Sequence, residues 1–184
     1  MNRIRLYYID IKLVRDYQKV DDNVLSVSPQ TNKQNRPFLG VVILQNNKRY
    51  CIPISSPKPK HKRMKSGVDL VKIIDNTKDN NNQYPIIGVL NINNMIPISN
   101  EYIKPIDITI YNDDSKATKK YKSLLKKQID WCHNNQNVII NKAEKVYDIV
   151  TMTPDKNRRL VKRSVDFKKL EKILERKLQS LDKE

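Results

Sequence analysis

FLGVVILQNNKRYCIPISS, residues 38 to 56, decides the fold. Phe38 to Leu44 is a continuous apolar run of strand length, Asn46 and Asn47 supply a turn, and Arg49 to Ile54 returns as the partner strand. The pattern predicts a β-hairpin that carries Ser55 and Ser56 at its far end. Pro57 then breaks the strand, and Lys58, Lys60, His61, Lys62, Arg63 and Lys65 follow in quick succession as a cationic loop. Hydroxyls at the end of a rigid element, beside several ammonium groups, suit a phosphate. Each amine pairs with an oxygen while the hydroxyls fix its position. The same residues also fit a solvated basic loop after an edge strand, with the serines capping a turn before proline.

Upstream of the hairpin, Ile4 to Val14 is rich in β-branched and aromatic residues and predicts a strand containing Tyr7 and Tyr8. Asp16 to Arg36 is polar, carries Pro29, and reads as an ordered loop or a short helix. Downstream, Val68 to Ile74 fits a strand or a short helix, and Asp75 to Gln83 an exposed loop. Tyr84 to Ile92 predicts a strand that Asn93 and Asn94 turn into Met95 to Ile98, where Pro97 marks an edge or terminating strand. Ile106 to Tyr111 alternates apolar with polar residues and predicts one more strand.

The hydrophobic period then changes. Asp113, Asp114 and Ser115 offer N-caps, and Tyr121, Leu124, Leu125, Gln128, Ile129 and Cys132 recur at helical spacing until Asn134 and Asn135. Val138 to Val150 predicts a second helix through Ile139, Ala143, Val146 and Tyr147. Thr151 to Arg163 reads as a basic linker. A final helix follows Ser164 or Asp166, with Phe167, Leu170, Ile173, Leu174, Leu178 and Leu181 as its buried stripe. Strands followed by helices indicate an α+β fold, helices packed on an antiparallel sheet, in one domain over residues 1–184.

A formal charge of +16 favours a polyanionic partner, nucleic acid before an acidic membrane surface. Part of that charge reflects a general enrichment in Lys, Asn and Ile of the kind an AT-rich genome produces. No apolar run approaches the length needed to span a bilayer, and the N-terminal segment, interrupted by Asp10 and Lys12, lacks the cleavage site of a signal peptide. Cys51 and Cys132 are far apart, without a C-x-x-C pair, which argues against zinc or a disulfide framework and suits a reducing cytoplasm. Three glycines leave no Walker loop or dinucleotide fingerprint. Of the two histidines, His133 in WCHNN reads as structural or solvent-facing. Trp131 and Cys132 read as core. Acidic residues are sparse around the basic loop, which disfavours a two-metal nuclease. RNA can be cut without metal, because its own 2′-hydroxyl attacks the adjacent phosphorus. A protein need only align that attack, stabilise the phosphorane with cations and assist proton transfer.

FLGVVILQNNKRYCIPISSPKPKH resembles the signature of the ToxN/AbiQ family of endoribonuclease toxins from type III toxin–antitoxin systems. The family pattern runs from an F-x-G strand through a K/R-Y pair to an apolar-Pro-apolar-[Ser/Thr]-Ser-Pro-Lys motif. Here those positions are Phe38, Gly40, Arg49, Tyr50, Pro53, Ser55, Ser56, Pro57 and Lys58. Ile87 to Ile98, Tyr121 to Ile139 and a terminal VDFKKLEKIL continue the likeness, which extends to the phage-abortive members of the family.

The resemblance implies a compact, antiparallel barrel-like sheet with packed helices, similar to MazF-type toxins. It implies that Ser56 is the key active-site serine, that Ser55 is the hydroxyl before it, and that Lys58 stabilises the phosphorane. Arg36 falls where the family has a basic residue, and Tyr121 matches a tyrosine at the start of the long helix. The family tyrosine expected in the loop before the F-x-G strand has no equivalent in VSPQTNKQNRPF. His61, placed just after the motif, is a candidate proton donor or acceptor near neutral pH. Arg36, Lys60, Lys62, Arg63, Lys65, Arg158 and Arg159 are candidate RNA contacts, although a charged linker is the more common explanation for the last two. A core role likewise competes for Tyr121.

The implied activity is a cytoplasmic endoribonuclease that needs neither metal nor cofactor, leaves a 2′,3′-cyclic phosphate and acts on cellular or phage RNA in abortive defence. The implied partner is an antitoxin RNA of tandem pseudoknot repeats, which the toxin would process and by which it would be inhibited in a closed toxin–RNA hetero-oligomer. A non-catalytic RNA-binding protein using the same patch is the alternative. A DNA-binding regulator ranks third, for want of a helix-turn-helix pattern.

Overall fold

A computed structural model describes residues 4–27, 36–43, 47–79 and 81–181. The expected hairpin is present as β2 (Phe38–Ile43) and β3 (Lys48–Ser55), in register from Phe38 opposite Pro53 to Ile43 opposite Lys48. Asn47 adopts the left-handed conformation at φ 52°, which asparagine tolerates better than most residues, while Asn46 lies outside the described residues. Around this pair run β1 (Leu6–Ile9), β4 (Leu70–Ile74), β5 (Ile86–Asn91), β6 (Ile96–Pro97) and β7 (Ile103–Pro105). Strand order is β4-β5-β3-β2-β1-β7, with β6 also on β3, and all of these neighbours pair antiparallel.

Strand β3 changes partners along its length. Tyr50 and Cys51 pair with β6, and Ile54 and Ser55 pair with β5. Pro53 falls in the gap between the two partners, a place where a strand can do without an N–H.

The helices are α1 (Ile11–Gln18), α2 (Pro59–Arg63), α3 (Lys116–Asn134), α4 (Gln136–Thr151), α5 (Arg158–Arg163) and α6 (Phe167–Leu181). The fold is therefore α+β, as expected. The sheet is not the barrel that the resemblance implied. Its end strands β4 and β7 do not pair with each other among the described residues, and β7 stops after three residues at Pro105.

Four other expectations are corrected. The predicted strand Ile4 to Val14 stops at Ile9, because the Asp10 carboxylate accepts from the Lys12 and Leu13 N–H groups and starts α1. Leu13, Val14 and Tyr17 then form a buried helical face. Ile106 to Tyr111 forms no strand. Its alternation is genuine, but Asp107 accepts from the Thr109 N–H at 2.9 Å and Asp114 from that of Tyr111, side-chain bonds that replace a ladder. The loop after Pro57 contains a short helix, α2. The basic linker is a 3₁₀ turn (Pro154–Asn157) leading into α5, where Asn157 caps the Leu160 N–H and Leu160 is fully buried.

Ser115 caps α3 by accepting from Thr118, and Leu125, Gln128, Ile129 and Cys132 are its buried face, whereas Leu124 is exposed. Trp131 packs half-buried against the core, and the His133 Nε2 lies 2.8 Å from the Ile4 carbonyl oxygen. In α6, Phe167, Leu170 and Leu174 are buried and Ile173 and Leu178 pack beside them, but Leu181 is exposed. The core joins both parts of the chain through Tyr50, Tyr147 and Phe167. Tyr147 stacks on Phe167 at 5.6 Å, and Tyr50 meets both rings edge-on at 5.8 and 5.7 Å. Cys51 and Cys132 are free and buried, and burial pushes both thiols up to about 12.

Candidate active site

The end of β3 turns from core to surface over three residues. Ile54 is buried, Ser55 half-buried and Ser56 exposed. Two donors converge on the Ser55 Oγ, the Arg36 Nη1 and the Asn91 Nδ2, each at 2.9 Å. Arg36 is half-buried just before β2, and its Nε donates to the Ser26 carbonyl at 3.1 Å. Burial lowers the pKa of its guanidinium. Asn91 ends β5, two residues beyond the Val89 that pairs with Ser55.

Pro57, Lys58 and Pro59 lead from the serines into α2. His61 turns inward and is only 5% exposed. Its Nδ1 accepts the Lys58 backbone N–H at 2.9 Å, so the imidazole holds the chain at the lysine beside Ser56. Burial first, then the charges of Lys60, Lys58 and Lys72, lower the His61 pKa below its usual 6.5. Neutral His61 can accept that N–H, while a proton on Nδ1 would prevent it.

Around this buried ring α2 and its flanks present Lys58, Lys60, Lys62, Arg63 and Lys65, all exposed. None of the five forms an ion pair among the described residues. Some other cations of the chain have carboxylate partners. Arg158 pairs with Asp155 at 3.0 Å, Lys122 with Asp114 at 2.8 Å, and Lys127 with Asp75 at 2.6 Å. The Lys142 ammonium binds the Gly67 carbonyl and steadies the segment after α2. A concentrated, uncompensated positive surface beside an exposed hydroxyl attracts a polyanion and gives its phosphates donors at short range.

Arg158 and Arg159 lie exposed on α5, not in a linker. Arg163 pairs with Asp69 at 2.7 Å, just before β4, and Leu70 of β4 stands opposite Asn91. That tether brings α5 to the corner of the sheet that carries Ser55. Tyr121 is placed differently. It is half-buried near the start of α3, with its hydroxyl 3.5 Å from that of Tyr8, and burial raises its pKa. Tyr7 packs its ring over Gly40, where an added Cβ would come within 2.6 Å of the ring.

The loop in which the family tyrosine was sought lies mostly outside the described residues, at 28–35. Among the described residues, no three His, Cys, Asp or Glu side chains gather closely enough to hold a metal ion, and no helix is long and apolar enough to cross a membrane. Asn91 was not singled out from sequence. Its signal was its place in LNINNMIPI, which reads locally as strand end and turn.

Residues 5–175 match the family model of the toxin ToxN from type III toxin–antitoxin systems. The endoribonuclease ToxN of Bacillus thuringiensis subsp. kurstaki is 33% identical over 159 residues, 85% of this chain and 75% of that protein. The endoribonuclease ToxN of Pectobacterium atrosepticum is 25% identical over 148 residues, 80% and 81% of the two chains. Among solved structures, a type III toxin–antitoxin system showing selective toxin inhibition by a non-coding RNA pseudoknot aligns with a TM-score of 0.76 at 28% identity. The alignment covers 95% of this chain and 98% of that one. AbiQ, a lactococcal anti-phage endoribonuclease, aligns with a TM-score of 0.77, covering 97% and 99%. Its identity of 22% is a likeness of fold and does not equate this chain with AbiQ.

Proposed function

The chain belongs to the ToxN toxin family of type III toxin–antitoxin systems, and from that premise we propose that it is a metal-independent endoribonuclease. The ribose 2′-hydroxyl gives its proton to the surrounding water as its oxygen attacks the adjacent phosphorus, the 2′-O–P bond forms, and the bond from phosphorus to the 5′-oxygen breaks. The products are a 2′,3′-cyclic phosphate and a 5′-hydroxyl, which takes up a proton as it leaves. Ser56 and Ser55 address the scissile phosphate, and the Lys58 ammonium stabilises the charge that accumulates on the phosphorane. Lys60, Lys62, Arg63 and Lys65 hold the flanking backbone, and Arg159 on α5 extends that track. His61 supports the site from beneath by holding the Lys58 N–H. Tyr121 is a second-tier candidate for proton transfer, from its place beside Tyr8.

The observation that carries this reading is the exposed Ser56 hydroxyl, set between a doubly bonded Ser55 and five cations without ion-pair partners among the described residues. The endoribonuclease names of the relatives support the reaction class. The pseudoknot that inhibits the related toxin supports an RNA antitoxin for this chain. We assign it tandem pseudoknot repeats, cut by the toxin into single units that inhibit it in a closed RNA–protein assembly. The whole chain acts as one toxin domain in the cytoplasm, as a defence against phage.

The test is incubation of purified protein with a long RNA in EDTA, beside Ser56→Ala, with end-group analysis of the fragments. Cleavage by the wild type alone, with cyclic phosphate ends, is expected. RNA binding without cleavage by either protein would replace the enzyme with a binding module.

A further inference from the structure

We infer that Asn91 and Arg36 fix Ser55 as a one-way hydrogen-bond donor towards the substrate, which makes both of them positioning residues of the cleavage site. The inference rests on the ribonuclease reading and adds to it two residues that act through a third.

The argument begins with the capacity of a hydroxyl, which has one hydrogen and two lone pairs. A guanidinium N–H can only donate, so the Arg36 Nη1 at 2.9 Å takes one lone pair of the Ser55 Oγ. The Asn91 Nδ2 at 2.9 Å takes the other. What the hydroxyl has left to offer is its hydrogen. Ser55 is therefore a poor proton acceptor and a strong donor, because two N–H groups, one of them cationic, withdraw electron density from its oxygen. A nonbridging phosphate oxygen, and more so the charged oxygen of a phosphorane, is an acceptor suited to that hydrogen.

The sheet register explains why these two residues are in reach. Ser55 stands opposite Val89, and Asn91, two positions on, lies on the same face as a diagonal neighbour. Arg36 approaches from the other side, ahead of Phe38, and its second bond to the Ser26 carbonyl prevents the guanidinium from swinging out to solvent. The serine is thus gripped from both sides of β3, while Ser56 beside it stays exposed. Arg36 acts first on the serine rather than on the RNA backbone, which differs from its expected role as an RNA contact.

The test is a double-mutant cycle on initial cleavage rates of the long RNA, with binding measured separately on its 2′-O-methyl copy. Ser55→Ala is expected to lower kcat by about 10²-fold, as removal of a fixed donor to a developing charge does. Asn91→Ala should lower kcat by about tenfold and leave binding of the 2′-O-methyl RNA within about twofold, since the donor remains but is no longer aimed. Adding Asn91→Ala to Ser55→Ala should cost nothing further. Asn91→Asp, nearly the same shape, presents only oxygens and should draw the Ser55 hydrogen to itself, giving slower cleavage than Asn91→Ala.

Losses that multiply in the double variant would make Asn91 a general structural residue and overturn the inference, as would Asn91→Asp cutting faster than Asn91→Ala. Cleavage by the wild type that Asn91→Ala leaves unchanged would overturn this inference alone. Absence of cleavage by the wild type would overturn the ribonuclease reading itself.

Discussion

Tyr50 and Glu171 meet through a 2.6 Å hydrogen bond that joins the central strand β3 to the last helix, α6. The carboxylate that accepts it is 4% exposed and also takes the Tyr147 hydroxyl at 2.8 Å and the Lys48 ammonium at 2.9 Å. Lys168 closes the group by donating to the Tyr147 hydroxyl at 2.7 Å. The arginine–tyrosine pair of the sequence signature therefore supplies, in its tyrosine, a strut and not a catalyst.

Glu171→Ala should destabilise the protein by about 3 kcal/mol, because it strands two buried hydroxyls without their acceptor and leaves Lys48 with Glu175 as its carboxylate partner. Urea unfolding followed by tryptophan fluorescence measures it. The same carboxylate predicts a pH dependence. Burial alone would raise its pKa, but the hydrogen bonds from Tyr50, Lys48 and Tyr147 outweigh burial and hold it below the usual 4.5. The stabilisation is complete above 4.5 and is lost as pH falls through the lower folded value. Glu171→Gln should remove that part of the acid sensitivity. An unchanged acid transition would place the sensitivity elsewhere.

The buried His61 makes a different prediction. Its folded pKa lies below 6.5, so the unfolded chain takes up the proton first. The bond from the Lys58 N–H is fully present above 6.5 and lost as pH falls through the folded value. Cleavage should decline over that window, and His61→Ala should cut slowly with a flatter profile. A rate that climbs as pH falls below 6.5 would instead put the imidazole on the substrate as an acid.

Salt tests which cations grip RNA, as proposed for those on α2, and which are already paired. Replacing Lys60, Lys62, Arg63 and Lys65 together by alanine should reduce the slope of log affinity against log salt by roughly 2 to 3, at about 0.7 per phosphate released from a single strand. Arg158→Ala should change it by less than about 0.7, because Asp155 already neutralises that side chain. Fluorescence anisotropy over a range of salt distinguishes the two. Equal slopes for wild type and the fourfold variant would move the RNA track off α2.

Gly40→Ala tests the close approach of Tyr7. The new Cβ would fall 2.6 Å from the ring, which must shift. The expected cost is about 1–2 kcal/mol, read as a lower midpoint of thermal unfolding. A midpoint equal to wild type would mean that Tyr7 moves freely and that the glycine of the signature has another reason.

The hairpin, the α+β order and the caps at Ser115 and Asn157 were written in local sequence, because each rests on neighbours a few positions apart. Only the first of those two caps was identified in advance. Asp10 was misjudged because β-branched residues on either side of it fit a strand, and only its contacts with the Lys12 and Leu13 N–H groups show a cap. Ile106 to Tyr111 has the alternation of a strand without its pairing, for Asp107 and Asp114 satisfy that backbone locally. At the candidate site, Ser55, Ser56 and Lys58 could be grouped from sequence because they fall within four positions of one another. Asn91 was not, because it reaches Ser55 only through strand register. Nor was the inward turn of His61, whose neighbours in sequence are all exposed lysines and an arginine.

The bond between Tyr50 and Glu171 also carries a consequence for biosynthesis. Strand β3 leaves the ribosome long before α6, and Tyr50 has no carboxylate to meet until residue 171 has emerged. Until then the serine pair rides on a strand whose support is unmade. A product terminated early lacks the last helix, the acceptor for two buried tyrosines and one side of the core. Completion of the toxin's scaffold thus waits on the synthesis of α6, long after the serine pair has been made.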